Sequence, residues 1–256
     1  MATHPEYPRT RLYSEQPLMG GASISLDEKR SHYLANVLRQ KTGDKIAIFN
    51  GIDGEWLAEI SSLSKKSVTL SVQKQLRAQK TSSDLWLVCA PLKSGKSEWV
   101  LEKATELGIS AFVPVKTNFT IVDKTNAERL TVIAIEASEQ CERLDVPIIK
   151  PIITLEKLLG SWPKDRLLIY GDESGASKSA KELLPEIPHT SYAVLIGPEG
   201  GFSTTELALL RELPYAVGMC LGPRVLRADT AAIAALTLMQ AWLGDWNEKP
   251  AFRAAE

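Results

Sequence analysis

The sequence predicts an α/β protein in two parts. A small β-barrel spans residues 1–73, a linker follows at 74–83, and an α/β domain with a parallel sheet occupies 84–256. Three observations carry that prediction. Short apolar sets of period two follow one another early in the chain, with only one helical pattern among them. From Asp84 onward strand-like and helix-like runs alternate, the pattern of a parallel sheet covered on both faces. Two of the late strands run directly into Gly-Pro loops. The 256 residues, 44% hydrophobic and 24% charged, suffice for two modest globular domains.

The elements follow in order. Beyond a basic arm carrying Arg9 and Arg11, the spacing predicts a helix over Asp27–Arg39. Tyr33, Leu34, Val37 and Leu38 form its apolar face, and Asp27 and Glu28 favour its N-terminus. Gly43-Asp44 stops it. Strand signals come from Ile46 and Ile48, from Trp56, Ala58 and Ile60, and from Val68, Leu70 and Val72, with Asn50–Gly54 as a turn. Residues 74–83 are polar and lack period, which reads as a linker. Leu85–Val88 and Ala111–Val115 are strands flanking a helix through Trp99, Val100, Ala104 and Leu107 that Gly108 closes. The helix Ala127–Leu144 has an apolar stripe and, opposite it, Glu136, Gln140 and Arg143. Arg166–Tyr170, Tyr192–Ile196 and Gly218–Leu221 are further strands. Ala231–Leu243, apolar nearly all round, is expected to be a buried helix.

Charge divides the chain unevenly. Residues 1–83 hold 12 Lys/Arg and 8 Asp/Glu, the rest 18 and 23, so +4 sits ahead of −5. Between Ser61 and Ser83 there are Lys65, Lys66, Lys74, Arg77 and Lys80 and no acid. Such a front half is suited to a polyanion, with Arg9, Arg11, His32, Arg39 and Lys41 as candidate phosphate contacts. Cys89, Cys141 and Cys220 are isolated, so no metal site or disulfide framework is expected. The N-terminus lacks the apolar core of a secretory signal, and Ala231–Leu243 is too short for a bilayer. A cytoplasmic location, with no membrane partner, is expected.

The Gly-Pro loops carry the chemistry. The apolar run Ala193–Ile196 leads into Gly197-Pro198-Glu199-Gly200-Gly201, and Ser203 with Glu206 has the spacing of a capping box. Leu221-Gly222-Pro223-Arg224-Val225-Leu226-Arg227 repeats the plan and leads through Asp229 and Thr230 into the last helix. Paired loops beyond the carboxyl ends of parallel strands make a ligand pocket. A competing motif, Gly95-Lys96-Ser97 after a strand, resembles the end of a phosphate-binding loop, with Asp172 as a magnesium ligand. An ATP-dependent enzyme is therefore one alternative, and a non-catalytic RNA-binding protein another.

Five ordered blocks resemble a known family. They are His32–Asp44, Glu102–Gly108, Ala137–Cys141 with Arg143, Ile196–Phe202, and Leu221–Arg227 with Thr230 and Ala231. Together they resemble the RsmE-type enzymes of the SPOUT methyltransferases, which methylate N3 of a uridine in 16S ribosomal RNA of the small ribosomal subunit. Two departures are Glu142, where the family more often has a small residue, and Asp229, where it usually has Glu. The resemblance implies a PUA-like barrel, a C-terminal trefoil knot, a homodimer and S-adenosylmethionine as methyl donor. It assigns the donor to Ile196, Gly197, Pro198, Glu199, Gly200 and Gly201, and to Leu221, Gly222, Arg224, Val225, Leu226 and Thr230. Uridine N3 carries a proton, so transfer needs a base or cations that stabilise the anion. Arg227 is the first candidate for that role and Arg143 the second, whereas Glu199 reads as a positioning residue.

Overall fold

The computed structural model describes residues 7–64, 67–188 and 191–248, so Lys65 and Lys66 lie outside the described residues. The chain divides into two compact units, Met1–Thr81 with Ser138–Asp145, and Ser82–Ala137 with Val146–Glu256.

The first unit contains β1 (Arg11–Tyr13), β2 (Ser23–Leu26), α1 (Glu28–His32), β3 (Lys45–Phe49), β4 (Glu55–Leu63) and β5 (Val68–Arg77). Its sheet has the order β1-β3-β4-β5-β2, with β1 parallel to β3 and the other pairs antiparallel. Leu12, Ile24, Ile46, Ile48, Ile60, Leu70 and Val72 fill the core. The expected helix over Asp27–Arg39 is α1, capped by the Asp27 carboxylate accepting from the Arg30 amide, followed by a π-helical turn at Tyr33–Val37. That turn keeps Leu34 fully buried while Tyr33 and Val37 stay exposed.

Two expectations need correction here. Strand β5 takes Lys74–Arg77 from the predicted linker, because Arg77 pairs across the sheet with Glu55 of β4. The inward group is a carboxylate, so no apolar period marked the continuation. Arg11 is not a phosphate contact. Its side chain is 4% exposed and is ion-paired to Glu55. Its guanidinium also donates to the carbonyl oxygens of Ser138, Glu139 and Arg143, each at 2.9 Å. Arg77 holds the other oxygen of Glu55 at 2.7 Å. Burial, and then the charge of Arg77, lowers the Arg11 pKa to about 10. Burial also raises that of Glu55, against the pull of Arg77. Charges this deep persist only when paired and hydrogen-bonded, and here each nitrogen of the Arg11 guanidinium and both oxygens of Glu55 have a partner.

The second unit holds β6 (Leu85–Cys89), α2 (Lys96–Glu106), β7 (Ala111–Lys116), most of α3 (Ala127–Cys141), β8 (Ile148–Ile149), β9 (Ile153–Thr154), α4 (Leu155–Gly160), β10 (Arg166–Gly171), α5 (Ala180–Leu183), β11 (Ser191–Ile196), α6 (Thr204–Glu212), β12 (Ala216–Met219) and α7 (Ala228–Trp242). All strand pairs are parallel, in the order β12-β10-β11-β6-β7-β8, with β9 also on β7. The side-chain alternation of strands separates two cores. Leu85, Leu87, Val194 and Ile196 meet α2, α3 and α7 on one face. Val88, Ala193, Leu195 and Leu168 meet α4 and α6 on the other.

Helix α3 ends at Cys141, short of the predicted Leu144, because Glu142 adopts a left-handed φ of 64°. The last strand lies at Ala216–Met219, two residues earlier than expected. Helix α7 is only half buried, since Ala232, Ala235, Leu236 and Met239 face the core while Trp242 is 46% exposed. Among the described residues no helix is long and apolar enough to cross a membrane.

Candidate active site

Three strands of the second unit, β10, β11 and β12, end side by side, and the loops after them enclose a cavity of about 1070 Å³. That is the usual ligand position in an open parallel sheet and a volume at the upper end for small-molecule sites. The first wall is Ile196–Glu199 with Gly201 and Phe202. Gly201 donates to the Pro198 carbonyl at 2.9 Å and has φ +70°, a conformation that a side chain would strain. Ser203 then caps α6 with Glu206 in a reciprocal capping box.

The second wall is Cys220–Arg227. Its entry is pinned, since Cys220 donates to the Lys178 carbonyl at 2.9 Å and accepts from the Ala180 amide at 3.2 Å. Gly222 has φ +107° with open space where a Cβ would stand. Arg227 occupies the N-cap position of α7 and lines the cavity; its carbonyl accepts from the Ala231 amide at 2.8 Å, while its guanidinium neither caps the helix nor pairs with any described residue.

The third wall is Gly171–Gly175, a segment that the sequence reading did not include among the ligand loops. Its signal was available, because an apolar strand runs into glycine there as in the other two loops. Asp172 organises it, accepting from the Ser174 amide at 2.9 Å and from the Ser177 hydroxyl. Burial pushes the Asp172 carboxyl up, but the hydrogen bonds from Ser174 and Ser177 outweigh it and the net shift is down.

The remaining candidates separate cleanly. Ile196, Gly197, Pro198, Glu199, Gly201, Leu221, Gly222, Arg224, Val225, Leu226 and Arg227 line the cavity, and Gly200 and Thr230 do not. A Cβ on Gly200 would lie 3.1 Å from Phe119 Cβ, so that glycine makes room for a neighbour instead. Arg143 belongs to the first unit, where it donates to Asp145 at 2.9 Å with its side chain 8% exposed. Arg9, His32, Arg39 and Lys41 are exposed on the first unit.

The phosphate-loop motif has another use. Lys96 lines the cavity and pairs with Asp229 at 2.8 Å, which lowers the Asp229 pKa. The Ser97 hydroxyl accepts from the Leu92 amide at 2.7 Å and donates to the Leu92 carbonyl at 3.2 Å. The two side chains that an ATP site would use are thus committed elsewhere, Lys96 to Asp229 in the first turn of α7 and Ser97 to the start of α2. Among the described residues no group of three or more His, Cys, Asp or Glu is placed to hold a metal ion.

Residues 79–240, which contain every wall of the cavity, match the family described as an RNA methyltransferase domain, and the chain belongs to that family. Residues 26–73 match an RNA methyltransferase PUA domain, so the fold is a PUA-like unit joined to an α/β methyltransferase unit. The ribosomal RNA small subunit methyltransferase E of Rickettsia conorii is 36% identical over 228 residues, covering 88% of this chain and 93% of that protein. Its counterpart from Bacillus subtilis is 29% identical, covering 88% and 92%. The crystal structure of ribosomal RNA small subunit methyltransferase E from Neisseria gonorrhoeae bound to S-adenosyl methionine superimposes with a TM-score of 0.84 at 27% identity, covering 93% of this chain and 99% of that one.

Proposed function

We propose that the protein transfers a methyl group from S-adenosylmethionine to N3 of a uridine in 16S ribosomal RNA. The observation that carries this reading is the three-loop cavity within the matched methyltransferase domain. The lining suits such a donor. At Gly197 a Cβ would stand 3.3 Å from the Phe202 ring, and Gly201 has φ +70°, so this loop keeps its backbone open to the cavity with glycine at both positions. Asp172, Glu173 and Glu199 line the cavity along with Lys96, Arg224 and Arg227, a mixed set fitted to a zwitterion that also carries a cationic sulfur. When bound, the donor supplies an electrophilic methyl group on that sulfur.

The chain supplies the rest. N3 gives up its proton to solvent water, and Arg227 with the amino end of α7, whose dipole is positive, stabilises the anion then shared by O2, N3 and O4. Ile196–Glu199, Gly201 and Leu221–Leu226 hold the donor, with Thr230 in the first turn of α7 just beyond the second loop. Arg143, held at Asp145, serves its own unit in place of the transfer. The first unit holds RNA through exposed Arg9, His32, Arg39 and Lys41, the second unit performs the reaction, and the join between them lies after β5, within 78–83.

Three finer features complete the reading. The half-exposed face of α7, with Ile233, Ala234 and Trp242, supports a homodimer, which sedimentation equilibrium checks. The segment after β12, bridged to Ser179 and then returning to pack on α2, supports a trefoil knot. A ribosomal substrate supports a cytoplasmic location. The deciding experiment is methylation of purified 16S RNA and of small subunits with labelled donor, followed by mapping of the modified base. Transfer to a uridine N3 is expected; label elsewhere, or none, would overturn the reading.

A further inference from the structure

We propose that Phe119 is an aromatic platform on which an unpaired base of the RNA substrate stacks beside the donor cavity. This rests on the function proposed above and names a contact for its substrate.

Phe119 sits on a fixed turn. The Thr120 amide donates to the Thr117 carbonyl at 3.1 Å, and the Thr117 amide donates to Thr120 Oγ1 at 2.9 Å. Asn118 docks the turn on α6: its amide donates to Glu206 Oε1 and its side chain to Ser203 Oγ, each at 2.8 Å. These are the two residues of the α6 capping box, so the turn is anchored to the end of the first donor loop. Phe119 lies over Gly200, and a Cβ there would meet Phe119 Cβ at 3.1 Å and Cγ at 3.5 Å. Gly200 stands between Glu199 and Gly201, both of which line the cavity.

This anchoring leaves Phe119 exposed. It is 50% exposed, the nearby Ile121 is 67% exposed, and Phe119 joins none of the three apolar clusters. A rigid, oriented aromatic ring at the rim of a reaction cavity contributes little to the core. Uridine N3 lies on the pairing edge of its base, so the substrate must reach the cavity unpaired. Unpaired bases are captured by stacking on aromatic rings, at little entropic cost when the ring is already fixed. Gly200 therefore serves the substrate side of the loop, while its neighbours serve the donor side.

The test uses the full-length protein with labelled donor and 16S RNA, comparing Phe119→Leu, Phe119→Ala and Phe119→Tyr. Leu keeps an apolar group over Gly200 but removes the π-face. Stacking predicts that Leu and Ala each raise KM for RNA about tenfold or more. Tyr should retain wild-type KM, and all three should bind S-adenosylmethionine with wild-type affinity by titration calorimetry. A Leu variant with unchanged KM, or variants that lose donor affinity in step with activity, would overturn the platform and leave Phe119 as a loop support. Absence of transfer by the wild-type protein would instead overturn the functional reading itself.

Discussion

Arg227 and Asp172 both border the cavity, yet the sequence treats them differently. Arg227 stands where a helix usually places a short capping side chain, and its guanidinium makes no bond to the described residues. Arg227→Ala should therefore leave donor affinity nearly unchanged and reduce single-turnover transfer by about 10²–10³-fold, the usual cost of one anion-stabilising donor. Calorimetry and quenched turnover separate the two effects. Asp172 shapes the third loop, and its folded pKa lies below its ordinary 3.8. A depressed carboxylate adds stability that is present above the unfolded value and is lost as pH falls through the folded one. The urea midpoint of the wild type should exceed that of Asp172→Asn by a steady margin above about pH 5, and the margin should shrink in acid. The Gly-Pro residues were legible because φ > 0 and close backbone approach leave a trace in residue type. Arg11 was not, because its burial depends on Glu55 and on carbonyls from residue 138 onward.

Helix α7 shows the same division among elements. Its apolar run announced a helix, but the buried face also holds Gln240, which is fully buried. Gln240 Nε2 donates to the Leu107 carbonyl at 2.6 Å and so closes the end of α2. The same side chain explains Gly108, where a Cβ would lie 2.7 Å from Gln240 Nε2. Gln240→Leu fits the apolar pattern yet leaves that carbonyl unpaired, so it should destabilise by about 1–3 kcal/mol, measured by denaturant unfolding. Longer strands and helices were readable from period. Strands β1, β2, β8 and β9, with two to four residues each, offered too few alternations. The π-helical turn at Tyr33–Val37 was hidden because its residues keep a helical apolar pattern.

At the scale of the molecule, the change of rhythm at Asp84 marked the start of the parallel sheet, but it did not show that the first unit recruits Ser138–Asp145. Those residues supply the carbonyls that Arg11 and Arg77 require, at Ser138, Glu139, Glu142 and Arg143. A fragment of residues 1–81 would leave two guanidinium groups partly unpaired, and breaking a buried charge network costs about 3–5 kcal/mol. Such a fragment should show poorly dispersed amide resonances and no cooperative melt, while the full chain unfolds cooperatively. A folded fragment would mean that the arginines find water in place of those carbonyls.

The shared segment also governs the order of events during synthesis. The last strand of the first unit ends at Arg77, but its buried arginines wait for residues up to Arg143. At about 5–20 residues per second the nascent sheet stays incomplete for several seconds after its strands are made. Over that interval Glu55 and its two cations stay hydrated, and the first unit closes only as α3 leaves the ribosome.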